Sequence, residues 1–550
     1  MHLKSAYSWD IASGNGDIRN INYFMVIGAF ILLMAWVNYI NMSTARAMQR
    51  AKEVGIRKSI GAYKGQLISQ FIVESAIINS LAGLLAIGIT LLLLPLLSGL
   101  VGKEIAPTVL NSMDSWQVFM AVLAAGSVLS GLYPAFVLSS FGPVSAHKSG
   151  VVAANGSAKP RKVLITFQFF VSVLLITGTW LVYQQISFMK AQDLGMDIDE
   201  VLVVNGPRVA LESHAMEIGT FHKVFKTEAT NHHSISAVTA ITNVPGMGYF
   251  ASESMRRKGD LAGQEKVVNV IFADPDFVDV LDLKMVAGEP LKGSRAENPS
   301  YRLKSNIVVY KWLVLNEEAV RLFDLGTPQQ AINKELVLFG DTSVVVGVIK
   351  NPNWSSLRDT YAPMVFPIDD ESAVYFSVKM HTSDIQESIS YVEQAFHAAF
   401  PNDPFEYFFL DDAFNRQYQT DQQFGNLFTA FSVLAIFISC LGLFALVSFS
   451  ASLKAKEIGI RKVLGASVGQ LMALLSKEYL VLLLIASLLA VPLAIWGGQQ
   501  WLENYAFRIE MGVEFIVIPA FLLLIVSVLT VSHSTWKAAS ANPVDSLKAE

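Results

Sequence analysis

The chain has 550 residues, of which 52% are hydrophobic and only 16% are charged. A soluble globular protein usually carries about 25% charged residues, and here the charged residues are missing from long apolar runs near both ends, whereas the middle has ordinary soluble composition. A formal net charge of −5 gives no sign of nucleic-acid binding, and the single cysteine, Cys440, excludes an intrachain disulfide.

Seven apolar runs are long enough to cross a bilayer as helices, because the hydrocarbon core needs roughly 20 consecutive apolar residues. Four of the runs contain no charged residue at all, which is rare for a long buried helix of a soluble protein. The runs lie at about 21–44, 68–97, 115–139, 163–186, 426–450, 470–496 and 513–533. The sequence therefore predicts an α-helical integral membrane protein with seven transmembrane helices.

The distribution of lysine and arginine predicts the orientation, because cytoplasmic loops carry an excess of positive charge. The basic loops follow the first and fifth spans and precede the fourth. Their basic residues are Arg46, Arg50, Lys52, Arg57, Lys58, Lys64, Lys148, Lys159, Arg161, Lys162, Lys454, Lys456, Arg461 and Lys462. The alternate short loops contain only Lys103 and Arg508. We therefore expect the linker 140–162 and the tail 534–550 to be cytoplasmic, and the stub 1–20 and the region 187–425 to be extracytoplasmic.

The loop after the first span recurs after the fifth. Residues 51–75 (AKEVGIRKSIGAYKGQLISQFIVES) and 455–479 (AKEIGIRKVLGASVGQLMALLSKEY) share 13 identities in 25 positions. This internal repeat divides the membrane part into a first domain at 21–139 and a second at 426–533, of three spans each. The second half has an additional span, 163–186, and a large external region before its three. A symmetrical parent would have eight spans and two external domains, so we expect this chain to lack about the first quarter of such a parent.

The region 187–425 changes to short alternating runs, such as EVLVVNG and SVVVGVIK, which are typical of strands. NEEAVRLFDLG, with Gly326 as a candidate end, and DIQESISYVEQAFHAAF have the pattern of amphipathic helices. These runs predict a large α+β domain with two lobes. The stretch DDAFNRQYQTDQQFGNLF enters the fifth span without a Gly-Pro interruption, which predicts a helical stalk.

Patterns for nucleotide, metal or catalytic sites are weak in this sequence. It contains no P-loop of the form G-x-x-x-x-G-K-[ST] and no clear Ser/His/Asp or Cys/His arrangement. His232 and His233 lack nearby ligand partners, which favours a solvated loop. Four aspartates alternate with apolar residues without the glycine of a calcium loop, which favours the start of an amphipathic helix; they are Asp274, Asp276, Asp279 and Asp282. We expect no catalytic residue, cofactor or metal in this chain.

Two carboxylates, Glu74 and Glu478, stand at equivalent positions of the repeat, near the predicted cytoplasmic ends of two spans. Intramembrane carboxylates often mark ion or proton pathways. The alternative is that each lies at headgroup depth and pairs with a nearby Lys or Arg. Their equivalent place in both halves favours a shared structural role.

The repeated loop is the strongest functional signal. Its core, K-E-[VI]-G-I-R-K-x-[IL]-G-A, places basic residues beside an apolar stripe of Val54, Ile56 and Ile60. A short basic amphipathic helix would also hold anionic lipid. Lipid does not require a fixed order of Glu, Gly and Arg, whereas the groove of a second protein does, because Gly permits close approach and Arg makes directional bonds.

This loop resembles the FtsX-type permease domain of MacB-like ABC transporters. The matching residues are Glu53, Gly55, Ile56, Arg57, Lys58, Gly61, Ala62, Phe71 and Glu74 in the first half and Glu457, Gly459, Ile460, Arg461, Lys462, Gly465, Ala466 and Glu478 in the second. The external region resembles the MacB-like periplasmic core domain through Asn316-Glu317, Val346-Gly347-Val348 and Ser356-Leu357 with Pro363. One departure is Asn351–Trp354, where related sequences often have Asp-Phe followed by a polar residue.

The resemblance implies a non-catalytic permease subunit in a bacterial inner membrane, driven by a separate cytoplasmic ATPase dimer. The loops around Arg57 and Arg461 would receive the motion of the ATPase, and the stalk would carry it to the external domain. That domain would export or extract a lipoprotein, peptide or hydrophobic drug. The implied partners also include membrane lipid, a second permease copy and periplasmic proteins, but no nucleic acid. The alternative is a signalling protein, in which the ATPase switches the external domain to activate a partner such as a cell-wall hydrolase.

Overall fold

The computed structural model describes residues 18–49, 57, 60, 63–101, 112–139, 151–208, 218–248, 251–289, 300–302, 308–369, 374–381, 384–453 and 455–540. The chain divides into two compact units. The membrane unit comprises the chain up to Ile186, then Asp421–Leu502 and the chain from Ile509. The α/β unit comprises Ser187–Thr420 together with the short segment Glu503–Arg508.

The helices are α1 (Ile18–Gln49), α2 (Lys64–Val101), α3 (Met113–Ser139), α4 (Val151–Lys190), α5 (Ile218–Thr230), α6 (Phe277–Val280), α7 (Glu317–Leu322), α8 (Pro328–Ala331), α9 (Ile385–Ala399), α10 (Leu410–Arg416), α11 (Gln419–Leu453), α12 (Ala455–Val463), α13 (Val468–Leu502) and α14 (Glu514–Ser540). The strands are β1 (Val201–Asn205), β2 (Ile235–Ile241), β3 (Ser252–Arg257), β4 (Lys266–Val270), β5 (Met285–Gly288), β6 (Ser300–Arg302), β7 (Val308–Tyr310), β8 (Trp312–Asn316), β9 (Glu335–Leu338), β10 (Asp341–Ile349), β11 (Met364–Pro367), β12 (Tyr375–Met380) and β13 (Tyr407–Phe409).

In the part of the chain that the structure describes, seven helices are long and apolar enough to cross a membrane, which confirms the predicted number of spans. Numbered in chain order, the spans are Ile21–Ser43, Gly65–Leu100, Met113–Leu132, Pro160–Lys190, Gln419–Ser450, Val468–Leu502 and Glu514–His533. Large aliphatic side chains on these helices point outward, among them Leu84 and Leu92 of α2. An apolar surface of this extent is unfavourable in water and suits contact with lipid.

Buried apolar side chains of α4, α11, α13 and α14 form one core in the membrane unit, with Phe169, Leu446 and Leu483 among its members. In the first half, α2 and α3 approach closely at Gly131, where an added Cβ would lie only 3.1 Å from the Cα of Ile72. Small residues permit this kind of close backbone approach between membrane helices.

Two helices extend beyond their predicted spans. The helix of span 4 begins at Val151, inside the predicted linker 140–162, and α14 continues to Ser540, inside the predicted tail 534–550. Residues 1–17, 140–150 and 541–550, which hold most of the predicted stub and parts of the linker and tail, lie outside the described residues.

Among its described residues, the α/β unit contains two large sheets, each with its own hydrophobic core, in agreement with the two predicted lobes, and a small two-stranded sheet of β6 and β7. Sheet A is antiparallel, with strand order β13-β1-β12-β2. Helices α5 and α9 add aromatic residues to its core, where Phe225 and Phe376 lie 4.8 Å apart between ring centroids. Sheet B has the order β5-β10-β8-β11-β4-β3-β9, and the pairing of β9 with β10 closes six of its strands into a ring.

Two local predictions in the α/β region differ from the structure. Helix α7 ends at Leu322, before Gly326, because Phe323 and the left-handed Asp324 (φ 51°) turn the chain away first. The predicted continuous stalk is interrupted: α10 ends at Arg416, Gln417 and Tyr418 form a turn, and α11 begins at Gln419. The side chain of Tyr418 is buried and packs on Phe414, which holds this turn within the α/β unit.

Candidate functional site

The second copy of the repeated loop forms helix α12. Glu457 and Arg461 stand one turn apart and form an ion pair of 2.7 Å between Oε1 and Nη2. A pair at this spacing, with the acidic residue first, stabilises a surface helix by a few tenths of a kcal/mol. Both side chains remain about half exposed, so their outer polar atoms are accessible to a partner.

Helix α12 ends in a tight glycine turn. Gly465 has φ of +93°, the Ala466 N–H donates to the Arg461 carbonyl at 2.9 Å, and the Gly465 N–H donates to the Lys462 carbonyl at 3.1 Å. These two bonds define a Schellman motif, which requires a left-handed residue at this position. The glycine of the family motif is therefore a helix stop.

A capping box starts the next helix at once. The Gln470 N–H donates to Ser467 Oγ at 3.3 Å, and the Ser467 N–H donates to Gln470 Oε1 at 3.1 Å. Ile458 on α12 is buried with Leu471 on α13, and Ala466 and Val468 pack beside them. Helix α12 is thus fixed to the end of α13 through a sharp corner.

The apolar residues of this copy divide between two faces. Ile458, the counterpart of Val54, is buried, whereas Ile460 is 47% exposed, Val463 67% and Leu464 79%. The predicted stripe therefore has one member facing α13 and two members facing outward. The outward face combines Ile460, Val463 and Leu464 with Arg461, and we call these four residues the docking face.

Most of the motif core of the first copy lies outside the described residues, including Glu53, Gly55, Ile56, Lys58 and Gly61. Arg57 is described, is exposed, and donates through Nη1 to Gln70 Oε1 at 3.0 Å. Ile60 is 81% exposed. In the alignment of the two copies, Leu474 occupies the position of Gln70. A leucine side chain cannot accept a hydrogen bond, so Arg461 has no equivalent of the Arg57–Gln70 bond.

The two carboxylates of the repeat lie in long helices. Glu478 on α13 pairs with Lys162 on α4, with 2.9 Å between Oε1 and Nζ, and both side chains are about half exposed. This geometry fits the ion-pair alternative at Glu478. Glu74 is half-buried on α2.

Hydroxyl contacts between α4 and α11 were missed by the sequence reasoning. Ser172 Oγ lies 2.8 Å from Ser439 Oγ, and Thr179 Oγ1 lies 2.6 Å from Ser432 Oγ. The members on each helix are seven residues apart, a spacing that is visible in the sequence and would have indicated one shared face. Such contacts fasten membrane helices by about 1 kcal/mol each.

The other candidate residues have structural surroundings. His232 Nδ1 lies 2.7 Å from Ser234 Oγ, and its ring packs on Tyr391. Asp276 lies directly before the one-turn helix α6, in agreement with the predicted start of a helix at these aspartates. Asp274 and Asp276 both form ion pairs with Lys226. Among the described residues there is no group of three His, Cys, Asp or Glu side chains that would hold a metal ion.

Comparison with known proteins matches both membrane segments to one family. The model of the FtsX-like permease C-terminal domain matches residues 25–143 and 429–543. An uncharacterized ABC transporter permease, YknZ of Bacillus subtilis, is 30% identical over 142 residues, which are 25% of this chain and 34% of that protein. The macrolide export ATP-binding/permease protein MacB of Rhodopirellula baltica is 29% identical over 125 residues, which are 22% of this chain and 17% of that protein.

Two solved structures resemble part of the chain. One is the periplasmic region of MacB from Actinobacillus actinomycetemcomitans, with a TM-score of 0.27 and 12% identity over 40% of this chain and 92% of that one. The other is the extracellular domain of the ABC-type transporter YknZ from Gram-positive bacteria, with a TM-score of 0.26 and 13% identity over 38% of this chain and 97% of that one.

The matched segments contain both copies of the repeated loop and the spans that follow each copy. The curated relatives are matched over about a third of their length or less. Two separate segments of this multi-span membrane chain, one in each half of the repeat, are therefore similar to the FtsX-like permease C-terminal domain.

Proposed function

We propose that this chain is the non-catalytic membrane subunit of an ABC-type complex, in which a separate cytoplasmic ATPase drives export or extraction work by the α/β unit. The observation that carries the proposal is the corner of α12 and α13. It presents three exposed apolar side chains beside Arg461 on a helix that is held by its own ion pair, glycine stop and capping box. An exposed apolar patch of this kind marks a protein interface.

The name of one relative supports a nucleotide-binding partner. The Rhodopirellula MacB protein, which is similar to this chain over 125 residues, is named an ATP-binding/permease protein. We propose that the ATP-binding part is supplied here by another polypeptide. The docking face and the segment around Arg57 would receive it, one in each half of the repeat.

The test is co-purification of the full chain from native membranes in mild detergent. We expect a P-loop ATPase to co-purify with the chain and the complex to hydrolyse ATP. Replacing the P-loop lysine of that partner should abolish the hydrolysis. The chain purified alone should neither bind nor hydrolyse ATP. Turnover by the purified chain that a point mutation within it abolishes would contradict the proposal, and a co-purified cell-wall hydrolase would favour the signalling alternative.

The proposal also requires the α/β unit and the docking face to lie on opposite sides of the membrane. In a Cys440→Ser background, we expect a cysteine at the exposed Leu261 to react with a membrane-impermeant maleimide in intact spheroplasts. The matched control is a cysteine at the exposed Leu464, which should react only after lysis. The opposite pattern at either position would overturn the orientation derived from the basic loops.

A further inference from the structure

One loop of the α/β unit contacts three chain segments that connect to spans of the second half. It comprises residues 351–361, between β10 and β11, and we call it the junction loop. Its first contact is with the segment that follows span 4. The Asn353 N–H donates to the Leu194 carbonyl at 2.8 Å, and Asn353 Nδ2 donates to the Asp193 carbonyl at 3.3 Å. Only two residues separate Lys190, the end of α4, from Asp193.

The second contact is with the segment that precedes span 5. The Leu357 N–H donates to the hydroxyl of Tyr418 at 3.5 Å, and Tyr418 is followed directly by α11.

Trp354, which is fully buried, donates through Nε1 to Asn243 Oδ1 at 2.8 Å and accepts the Gly246 N–H on its carbonyl at 2.9 Å.

Gly246 in turn lies against α10. It has φ of +89°, and an added Cβ would lie 2.8 Å from the Cα of Phe414. The backbone can approach α10 this closely only because residue 246 has no side chain. Trp354 is therefore linked to the helix before span 5 through one glycine.

The third contact is with the segment that joins spans 6 and 7. The Ala506 N–H donates to the Arg358 carbonyl at 2.9 Å, and the Phe507 N–H donates to the Leu357 carbonyl at 3.3 Å. The Arg358 guanidinium lies 5.3 Å from the centroid of the Tyr505 ring, and the rings of Tyr361 and Phe507 pack edge to face at 5.2 Å. These contacts explain why Glu503–Arg508 clusters with the α/β unit.

We propose that the junction loop is the positioning element that converts displacement of the second-half spans into movement of sheet B. This inference deepens the proposed function and rests on it. The intervening links are short, so a helix end that shifts must carry the loop with it or break the hydrogen bonds and aromatic contacts that join the two. The Leu357–Tyr418 bond is buried, so it costs more to break than a bond in water. The loop continues into β10 and β11, two strands of the closed ring, so its displacement reaches the ring directly.

The test compares variants of the full chain in complex with its co-purified ATPase. Hydrogen exchange of peptides from β10 and β11 is measured with and without a non-hydrolysable ATP analogue. We expect the nucleotide-dependent change of the wild type to fall by at least about fivefold in Tyr505→Ala/Phe507→Ala. The matched control is Tyr407→Ala, an exposed aromatic of β13 away from the loop, which should respond like the wild type.

Two further readouts separate positioning from folding. ATPase recovery and exchange without nucleotide should be unchanged in Tyr505→Ala/Phe507→Ala. Arg358→Cys and Ala506→Cys are then added to this variant in a Cys440→Ser background. Oxidation of the two cysteines to a disulfide should restore the nucleotide response, and reduction of the disulfide should abolish it again.

A full response in Tyr505→Ala/Phe507→Ala, or no rescue by the oxidised disulfide, would overturn the positioning role. Failure of the proposed function would look different: the wild type itself would then recover no ATPase or show no response to nucleotide.

Discussion

Reversing the charge of Arg57 and Arg461 together should abolish recovery of the partner ATPase in detergent while the chain still inserts into the membrane. Arg461 lies among exposed apolar side chains, where a partner must exclude water to bind. A glutamate there would meet the acidic groups that we expect opposite arginine, and each desolvated like-charge contact would cost a few kcal/mol. Two such contacts reduce affinity by several orders of magnitude.

Two control variants make the measurement specific. Ser467→Ala removes the side-chain cap of α13 but keeps the docking face, so it tests the loss of helix stability alone. Lys477→Glu makes an exposed charge reversal in α13, outside the docking face. Both should retain the ATPase in a pull-down.

A role limited to lipid binding predicts a different result. Charge reversal would then weaken surface association by about 1 kcal/mol per residue, and only in the presence of an anionic bilayer. In detergent the ATPase would be recovered equally with the wild type and with Arg57→Glu/Arg461→Glu. Equal recovery would show that these loops are not the docking elements.

Replacing Asp274 by Asn should destabilise the α/β unit more than any exposed substitution. Asp274 is buried in the segment between β4 and α6 and accepts the Thr239 hydroxyl at 2.6 Å, the Ala240 N–H at 2.8 Å and the Asp276 N–H at 3.0 Å. It also forms an ion pair with Lys226 on α5. Removing one partner of a buried ion pair costs about 3–5 kcal/mol. Here asparagine also places an amide N–H where the carboxylate accepts hydrogen bonds, and it leaves Lys226 with Asp276 as its ion-pair partner.

The pKa of Lys226 reflects its attraction to these two carboxylates. Burial lowers the pKa of Lys226, but attraction to Asp274 and then Asp276 outweighs it, so the pKa is raised above its ordinary value of 10.5. A raised pKa stabilises the fold at pH values below 10.5, and this contribution is lost only as the pH rises through the folded pKa. The contribution is therefore constant across neutral pH.

Hydrogen exchange of β2 in the full chain measures the effect of Asp274→Asn. We expect the free energy of opening to fall by about 3–5 kcal/mol, which accelerates exchange by roughly 100-fold or more. Asp279→Asn, the same change at an exposed position of α6, should alter the opening free energy by no more than about 0.5 kcal/mol. Equal exchange rates in the two variants would show that the contacts of Asp274 do not stabilise the α/β unit.

Local composition was sufficient for several features of this chain. The seven spans follow from apolar runs of bilayer length, because a helix satisfies its own backbone hydrogen bonds and needs no distant partner in the membrane. Helix α9 was predicted from its amphipathic periodicity, which is a local signal, and the structure adds Asp384 as its N-cap. The repeat was visible because two copies of one loop share residues at the same spacing.

Tertiary structure decided which of these residues meet. Periodicity predicted an apolar stripe on the repeated loop, but only packing against Leu471 separates the buried Ile458 from the exposed Ile460. Lys162 meets Glu478, and Arg358 meets Ala506, across long stretches of chain that no local pattern connects. The departure at Asn351–Trp354 was visible in the sequence, but its contacts with Leu194 and Gly246 were not. The physical reason is that hydrophobic burial is non-directional, so the sequence shows which side chains will be buried, while the path of the whole chain selects their neighbours.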